Sequence, residues 1–197
     1  MELNHDRGFI LNKFSYSESD IILKVINDKG KKQTFFAKAA KKSLKRFSGG
    51  LDYFHLLNLE YSRAGSGSMG KLIATSIEVH FDTIHRDLSR FALASILLEC
   101  IDHFLKEDDS EIKLFEELTS FFEKLEKSTV PLGVYCSTLI ELFRILGYGL
   151  TSNSRIQNAM KNNSWKELFF LLENEILVHG QKELRSLGFA KKIIFHA

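Results

Sequence analysis

The sequence predicts an α+β chain, with a five-stranded β-barrel over residues 1–80 followed by an all-α helical bundle over residues 81–197. Three observations carry that prediction. Short runs rich in β-branched and aromatic residues recur through the first 80 positions, the hydrophobic period changes from two to 3.6 near Phe81, and the charge balance changes sign at the same place. Residues 1–81 hold 13 Lys/Arg against 8 Asp/Glu, whereas residues 82–197 hold 14 against 17. A basic first part and a mildly acidic second part suggest two units with different partners.

The strands come in order as Phe9-Ile10-Leu11, Ile21–Ile26 and Gln33-Thr34-Phe35-Phe36, separated by the polar stretches Ser15–Asp20 and Asn27–Lys32. Asn27-Asp28-Lys29-Gly30 reads as a four-residue hairpin connection in which glycine takes positive φ. After a basic stretch come Leu56–Tyr61 and Lys71–Val79, and alternation puts Ile73, Thr75, Ile77 and Val79 on one face. Five short antiparallel strands leave edges to manage, which closure into a barrel removes. Strand number and a basic surface favour an OB-fold over an SH3-like barrel.

Helical spacing then takes over. Ile84, Leu88, Phe91, Leu98, Ile101 and Leu105 form a stripe, widened by Ala92, Ala94 and Ile96 until the helix is apolar almost all round, as for a central buried helix. Asp82 or Thr83 is placed to cap its start. A second helix is predicted from about Ser110 through Leu125, with Ser110 as its cap. Pro131 opens a third, where its missing N–H costs nothing, and that helix stops at Gly147-Tyr148-Gly149. Trp165–Ile176 and Lys182 to about Phe195 complete a bundle of about five helices.

Composition excludes several classes. The first residues lack the apolar core of a secretory signal, and no apolar run approaches the roughly 18 residues of a membrane span. Cys100 and Cys136 sit in apolar helical patterns and read as buried thiols in a reducing compartment, so a cytoplasmic location is expected. No C-x-x-C pair, H-E-x-x-H or G-x-S-x-G occurs, so neither a metal, a cofactor nor a catalytic residue is expected. His80 and His85 near Asp82 and Asp87 suggest capping at a strand-to-helix junction before they suggest a metal site. Gly65 to Lys71 spells most of a phosphate-binding loop, but Leu72 stands where that motif needs Ser or Thr, and a strand pattern follows where it needs a helix. It reads better as the connection of a hairpin.

The most informative segment runs from Lys29 to Phe54. Eight basic residues and no acid lie between Lys29 and Arg46, with Phe35, Phe36, Phe47, Tyr53 and Phe54 in or beside the run. Clustered cations neutralise phosphates and release counterions, and aromatic faces stack on unpaired bases. Lys31, Lys32, Lys38, Lys41, Lys42, Lys45 and Arg46 are therefore the expected nucleic-acid contacts, with Arg63 and Lys71 on neighbouring strand ends. At least one of Phe35 and Phe36 must fill the barrel.

R-G-F-I-L, Y-S-E-S-D-I-I-L and A-K-K-S-L-K-R-F-S-G-G-L-D-Y-F-H-L-L, in this order and spacing, resemble the N-terminal OB domain of the bacterial RecO recombination mediators. A-L-A-S-I-L-L-E-C-I-D, E-L-F-R-I-L-G-Y and Q-K-E-L-R-S-L-G-F are similar to the family's helical region. The resemblance implies a non-enzymatic mediator. It would bind single- and double-stranded DNA, anneal strands coated with single-strand-binding protein (SSB), and help load RecA together with RecR. It also implies an apolar groove with a cation for the acidic SSB tail, for which Arg86, Arg90, Arg144 and Arg155 are candidates. The alternative is a protein-binding adaptor whose DNA affinity is incidental. Many members carry a four-cysteine zinc module where this chain has Gly149–Asn163 without cysteine, so zinc is not expected here.

Overall fold

The computed structural model describes residues 3–43, 45–47, 51–65, 69–107, 109–150 and 153–195. Five strands come first: β1 (Leu3–Ser15), β2 (Ile21–Asn27), β3 (Lys32–Ala37), β4 (Leu56–Ser62) and β5 (Gly70–Val79). They close in the order β1-β2-β3-β5-β4, with β4 returning to β1. Four seams are antiparallel, as expected, but the β3–β5 seam is parallel, through Phe35 opposite Gly70 and Phe36 opposite Lys71. This is the five-stranded OB-fold arrangement that the strand count suggested.

Ile10, Leu23, Val25, Phe35, Leu57, Leu59 and Leu72 point into the barrel, and Phe47 and Leu51 from the β3–β4 connection join them. The period-two face read along β5 breaks at a bulge. Glu60 pairs with Ala74 and Tyr61 with Leu72, so Ile73 is the extra residue. Leu72 and Thr75 are buried on either side of it, and Val79 is exposed. A periodic reading that begins at Ile73 is out of phase before the bulge.

The Asn27–Gly30 turn has Gly30 at φ 72°, as a hairpin of this sequence requires. A Cβ there would lie 2.2 Å from the Glu111 carbonyl carbon, so glycine is also needed for close approach. Here the segment 105–116 joins the barrel. Glu111 N–H donates to Gly30 O at 3.1 Å and Ser110 Oγ to Lys29 O at 2.8 Å. Phe115 packs on Phe9 with ring centroids 5.7 Å apart. Ser110 is therefore strand-paired, opposite Lys31, and does not cap a helix. The contacts divide the chain into one unit of residues 1–81 with 105–116 and a second of 82–104 with 117–197.

The helices are α1 (Asp82–Arg86), α2 (Leu88–Phe104), α3 (Ile112–Lys127), α4 (Pro131–Ile145), α5 (Ser154–Lys161), α6 (Trp165–Gly180) and α7 (Arg185–Phe195). What the sequence reads as one helix from Phe81 breaks at Asp87, whose Oδ1 accepts from the N–H groups of Ser89 and Arg90 and caps α2. Thr83 instead bonds Glu126 through both N–H and hydroxyl. α2 is buried on nearly every side and packs against α4, α6 and α7. Pro131 occupies the first turn of α4, and Gly147 at φ 85° follows its end. α5, capped by Asn153 Oδ1, has no counterpart among the helices the sequence predicts, because it is short and mostly polar. Both thiols are buried, and burial pushes Cys136 up to about 12 and Cys100 higher still. No described helix is long and apolar enough to cross a membrane.

One buried polar cluster ties β1, β2 and β4 together. Asp6, its side chain 1% exposed, accepts from Asn27 Nδ2 at 2.8 Å, Tyr61 OH at 2.8 Å and Lys29 Nζ at 2.5 Å. Burial alone would raise this carboxyl, but the hydrogen bonds from Lys29, Tyr61 and Asn27 outweigh it and hold it below the ordinary range. Because the folded value lies below the unfolded one, the stabilisation is complete above an unfolded value of about 3.9 and is lost as pH falls through the folded value. Asp6→Ala should therefore lower unfolding stability in urea by about 2–3 kcal/mol at neutral pH, with the difference from the native chain shrinking below about pH 4.

Candidate nucleic-acid interface

Strand alternation sends Phe35 into the core and leaves Phe36 facing outward, and the register carries that outward position across four strands. Phe14 of β1 lies opposite Ile22 of β2, Ile22 opposite Phe36 of β3, and Phe36 opposite Lys71 of β5. Phe14 and Lys71 are exposed, and Ile22 and Phe36 are half-buried. Tyr16, 66% exposed in the turn after β1, meets the Phe36 ring edge-on at 5.6 Å. Lys24 sits over the Phe14 ring, its ammonium 5.8 Å from the centroid. The result is an aromatic-aliphatic row with a lysine at each end.

The basic segment leaves β3 beside this row. Lys38, Lys41, Lys42 and Lys45 are exposed on it, as is Lys31 at the start of the run. Lys41 Nζ donates to Ser17 O at 2.8 Å, which holds it against the β1–β2 turn. Arg46 does different work: its guanidinium donates to Ser43 Oγ at 3.0 Å and Lys38 O at 2.7 Å and lies 5.0 Å from the Phe47 ring centroid. Its own carbonyl accepts from Thr75 N–H at 2.8 Å, where Phe47 bridges β5. Arg46 thus braces the segment. Lys32 is 7% exposed and its ammonium donates to Leu105 O at 3.0 Å, which removes it from any surface contact.

Arg63 and Lys71 come together around Gly70. The Arg63 guanidinium lies 5.9 Å from the centroids of both Phe35 and Tyr61, and its buried Nε has no hydrogen-bond partner among the described residues. Gly70 is glycine because a Cβ would meet the Phe35 ring at 2.6 Å. Lys71 and Leu72 continue as a strand, so no helix begins there to face a nucleotide phosphate; Ser66, Gly67 and Ser68 of the same connection lie outside the described residues.

In the helical unit the four candidate arginines stand on different elements. Arg86 and Arg155 are exposed on α1 and α5. Arg144 pairs with Glu141 one turn away through both carboxylate oxygens. Arg90 donates to Leu125 O at 2.9 Å, Ser128 O at 2.5 Å and Asp87 at 2.5 Å, closing the end of α3. It also lines a cavity of about 320 Å³ with Leu93, Pro131, Leu132 and Ile194. Among the described residues, no group of three or more His, Cys, Asp or Glu is arranged to hold a metal ion.

Sequence reasoning missed Phe14, Tyr16, Ile22 and Lys24. The Ser15–Asp20 stretch reads as polar punctuation, and the available signal was an aromatic side chain inside it, with no core for it to fill.

Comparison with known proteins divides the chain near residue 81, with residues 105–116 in the C-terminal match. The family model "Recombination protein O N terminal" matches residues 1–80, and "Recombination protein O C terminal" matches residues 85–164. A protein of Syntrophus aciditrophicus named DNA repair protein RecO is 34% identical over 144 residues, covering 73% of this chain and 54% of its own length. Proteins of the same name from Desulfatibacillum aliphaticivorans and an Anaeromyxobacter species are 30% and 31% identical over 122 and 120 residues, covering 61% and 60% of this chain and 47% of each relative. The chain spans about half the length of the curated relatives it matches.

If Arg46 is the brace of the basic segment, Arg46→Ala should speed amide hydrogen exchange at Phe47 and Thr75 by about tenfold, the loss of roughly one charged hydrogen bond. Lys45→Ala should leave both amides as protected as before.

Proposed function

We propose that this chain, which belongs to the RecO family of recombination proteins, is a non-enzymatic DNA-binding protein of DNA repair that holds single strands on the outer face of its barrel. The observation that carries the reading is the row Phe14–Ile22–Phe36–Lys71, with Tyr16 against Phe36 and lysines at both ends. Unpaired bases need flat apolar faces to stack on, and every base has one, so such a row is sequence-tolerant. Phosphates need cations beside that row, which Lys38, Lys41, Lys42, Lys45, Lys71 and the guanidinium of Arg63 supply, whereas Lys31 stands at the opposite end of β3, against Ser110. Lys32 and Arg46 serve the fold instead.

The finer activities follow the family. The protein anneals complementary strands coated with SSB and, with RecR, helps load RecA; the acidic tail of SSB is recognised by the helical unit. Among the arginines considered, Arg90 has the apolar neighbours such a tail needs, but three of its donor directions are taken, so the tail's carboxylate would have to compete with Leu125 O, Ser128 O and Asp87. Annealing of SSB-coated strands, compared between whole SSB and SSB lacking its tail, tests this part. Faster annealing with whole SSB is expected, and equal rates would remove the tail from the account.

For DNA itself, fluorescence anisotropy with a labelled oligo-dT at several salt concentrations separates the two kinds of contact. Reversing Lys38, Lys41, Lys42 and Lys45 together to Glu should weaken binding and flatten the salt dependence by about 0.7 per lost contact. Phe36→Ala and Tyr16→Ala should each cost about 1–3 kcal/mol with the salt slope unchanged. Unaltered affinity in both sets would overturn the barrel face as the site.

A further inference from the structure

Two acids, Glu18 and Asp20, stand in the β1–β2 turn beside the cations assigned to DNA, where negative charge should repel a polyanion. Only one of them has a structural engagement that offsets this. Asp20 Oδ1 accepts from the Ala39 N–H at 2.8 Å, and Ala39 is held at φ 53°, a left-handed conformation disfavoured for an alanine. A strained residue of this kind persists only where its surroundings fix it. The turn is itself built around Asp20. Its N–H donates to Ser17 Oγ at 3.0 Å, and its carbonyl accepts from Tyr16 N–H at 3.0 Å. Further along, Lys41 N–H donates to Ser19 O at 3.1 Å and Lys41 Nζ to Ser17 O. The stem of the basic segment is thus fastened to the same turn that presents Tyr16 to Phe36.

We propose that Asp20 is a positioning residue for DNA binding: its carboxylate oxygen holds Ala39 in the left-handed conformation and so sets Lys38, Lys41 and Lys42 beside the aromatic row. The inference rests on the DNA reading above, and it gives the two acids of one turn opposite roles. Glu18 is a simple electrostatic liability. Asp20 repels DNA as a charge but promotes binding as a hydrogen-bond acceptor, and the second effect is the larger. The Ala39 N–H also holds the Asp20 carboxyl below the ordinary range, consistent with an acceptor in use.

The conservative variant separates the two roles, because asparagine keeps the acceptor oxygen and loses the charge. With oligo-dT at fixed moderate salt, Asp20→Ala should bind roughly three- to tenfold more weakly than the native chain. Asp20→Asn should bind at least as tightly as the native chain, and Glu18→Gln slightly more tightly. In parallel, amide exchange at Ala39 and Lys41 should accelerate in Asp20→Ala and stay protected in Asp20→Asn. If Asp20→Ala binds as tightly as Asp20→Asn, the acid acts only through its charge and the proposal falls. If both amides remain protected in Asp20→Ala, it falls as well, whatever the DNA result. A native chain with no affinity for oligo-dT would instead defeat the DNA reading, with the exchange data still deciding whether Asp20 sets the segment.

Discussion

The parallel seam between β3 and β5 is the constraint on which the rest of the barrel depends. It consists of two register pairs, Phe35 with Gly70 and Phe36 with Lys71, and each settles a different matter. The first closes the barrel: Phe35 fills its interior and lies so close to Gly70 that any side chain there would collide with the ring. The second faces outward and places a lysine beside an aromatic side chain. One alternation, inward then outward, therefore fixes both the core and the chemistry of the outer row.

From that seam the surface follows by register. Because paired residues on neighbouring strands share a face, Phe36 aligns with Ile22 and Ile22 with Phe14. The remaining cations reach the row only because the connection after β3 is pinned. Arg46 ties it to β5 and to itself, Phe47 anchors it in the core, and the β1–β2 turn fastens its stem. A run of eight basic residues would otherwise repel itself into a loose loop. Three members of that run turn their charge to the fold: Lys32 is buried on the Leu105 carbonyl, exposed Lys29 pairs with buried Asp6, and Arg46 holds the Lys38 carbonyl. A cationic stretch is thus not uniformly a binding surface.

Much of this was legible in the sequence, for reasons that can be named. The five strands announced themselves by β-branched and aromatic runs between polar turns, and Gly30 by its place in a hairpin. Pro131 and Gly147 marked the ends of α4. What escaped was non-local. The bulge at Ile73 shifts the phase of β5 and shows only in the pairing with β4. The break at Asp87 looks like a polar residue on a continuous stripe until its carboxylate is seen on the Ser89 and Arg90 amides. Residues 105–116 group with the barrel through the Ser110 hydroxyl on the Lys29 carbonyl and the Glu111 N–H on the Gly30 carbonyl, and no periodicity reports those. The outer row was invisible for the same reason, since Phe14, Ile22, Phe36 and Lys71 are far apart in the chain and adjacent only across strands.

On the proposed reading, single-stranded DNA lies along this row with its bases against the aromatic rings. Photo-crosslinking with an oligonucleotide carrying 5-iododeoxyuridine at successive positions, followed by mass spectrometry of the adducts, tests it most directly, because the excited base attacks aromatic side chains in contact with it. Adducts at Tyr16, Phe36 or Phe14 are expected. Adducts confined to residues 117–195, with none in the barrel, would contradict it.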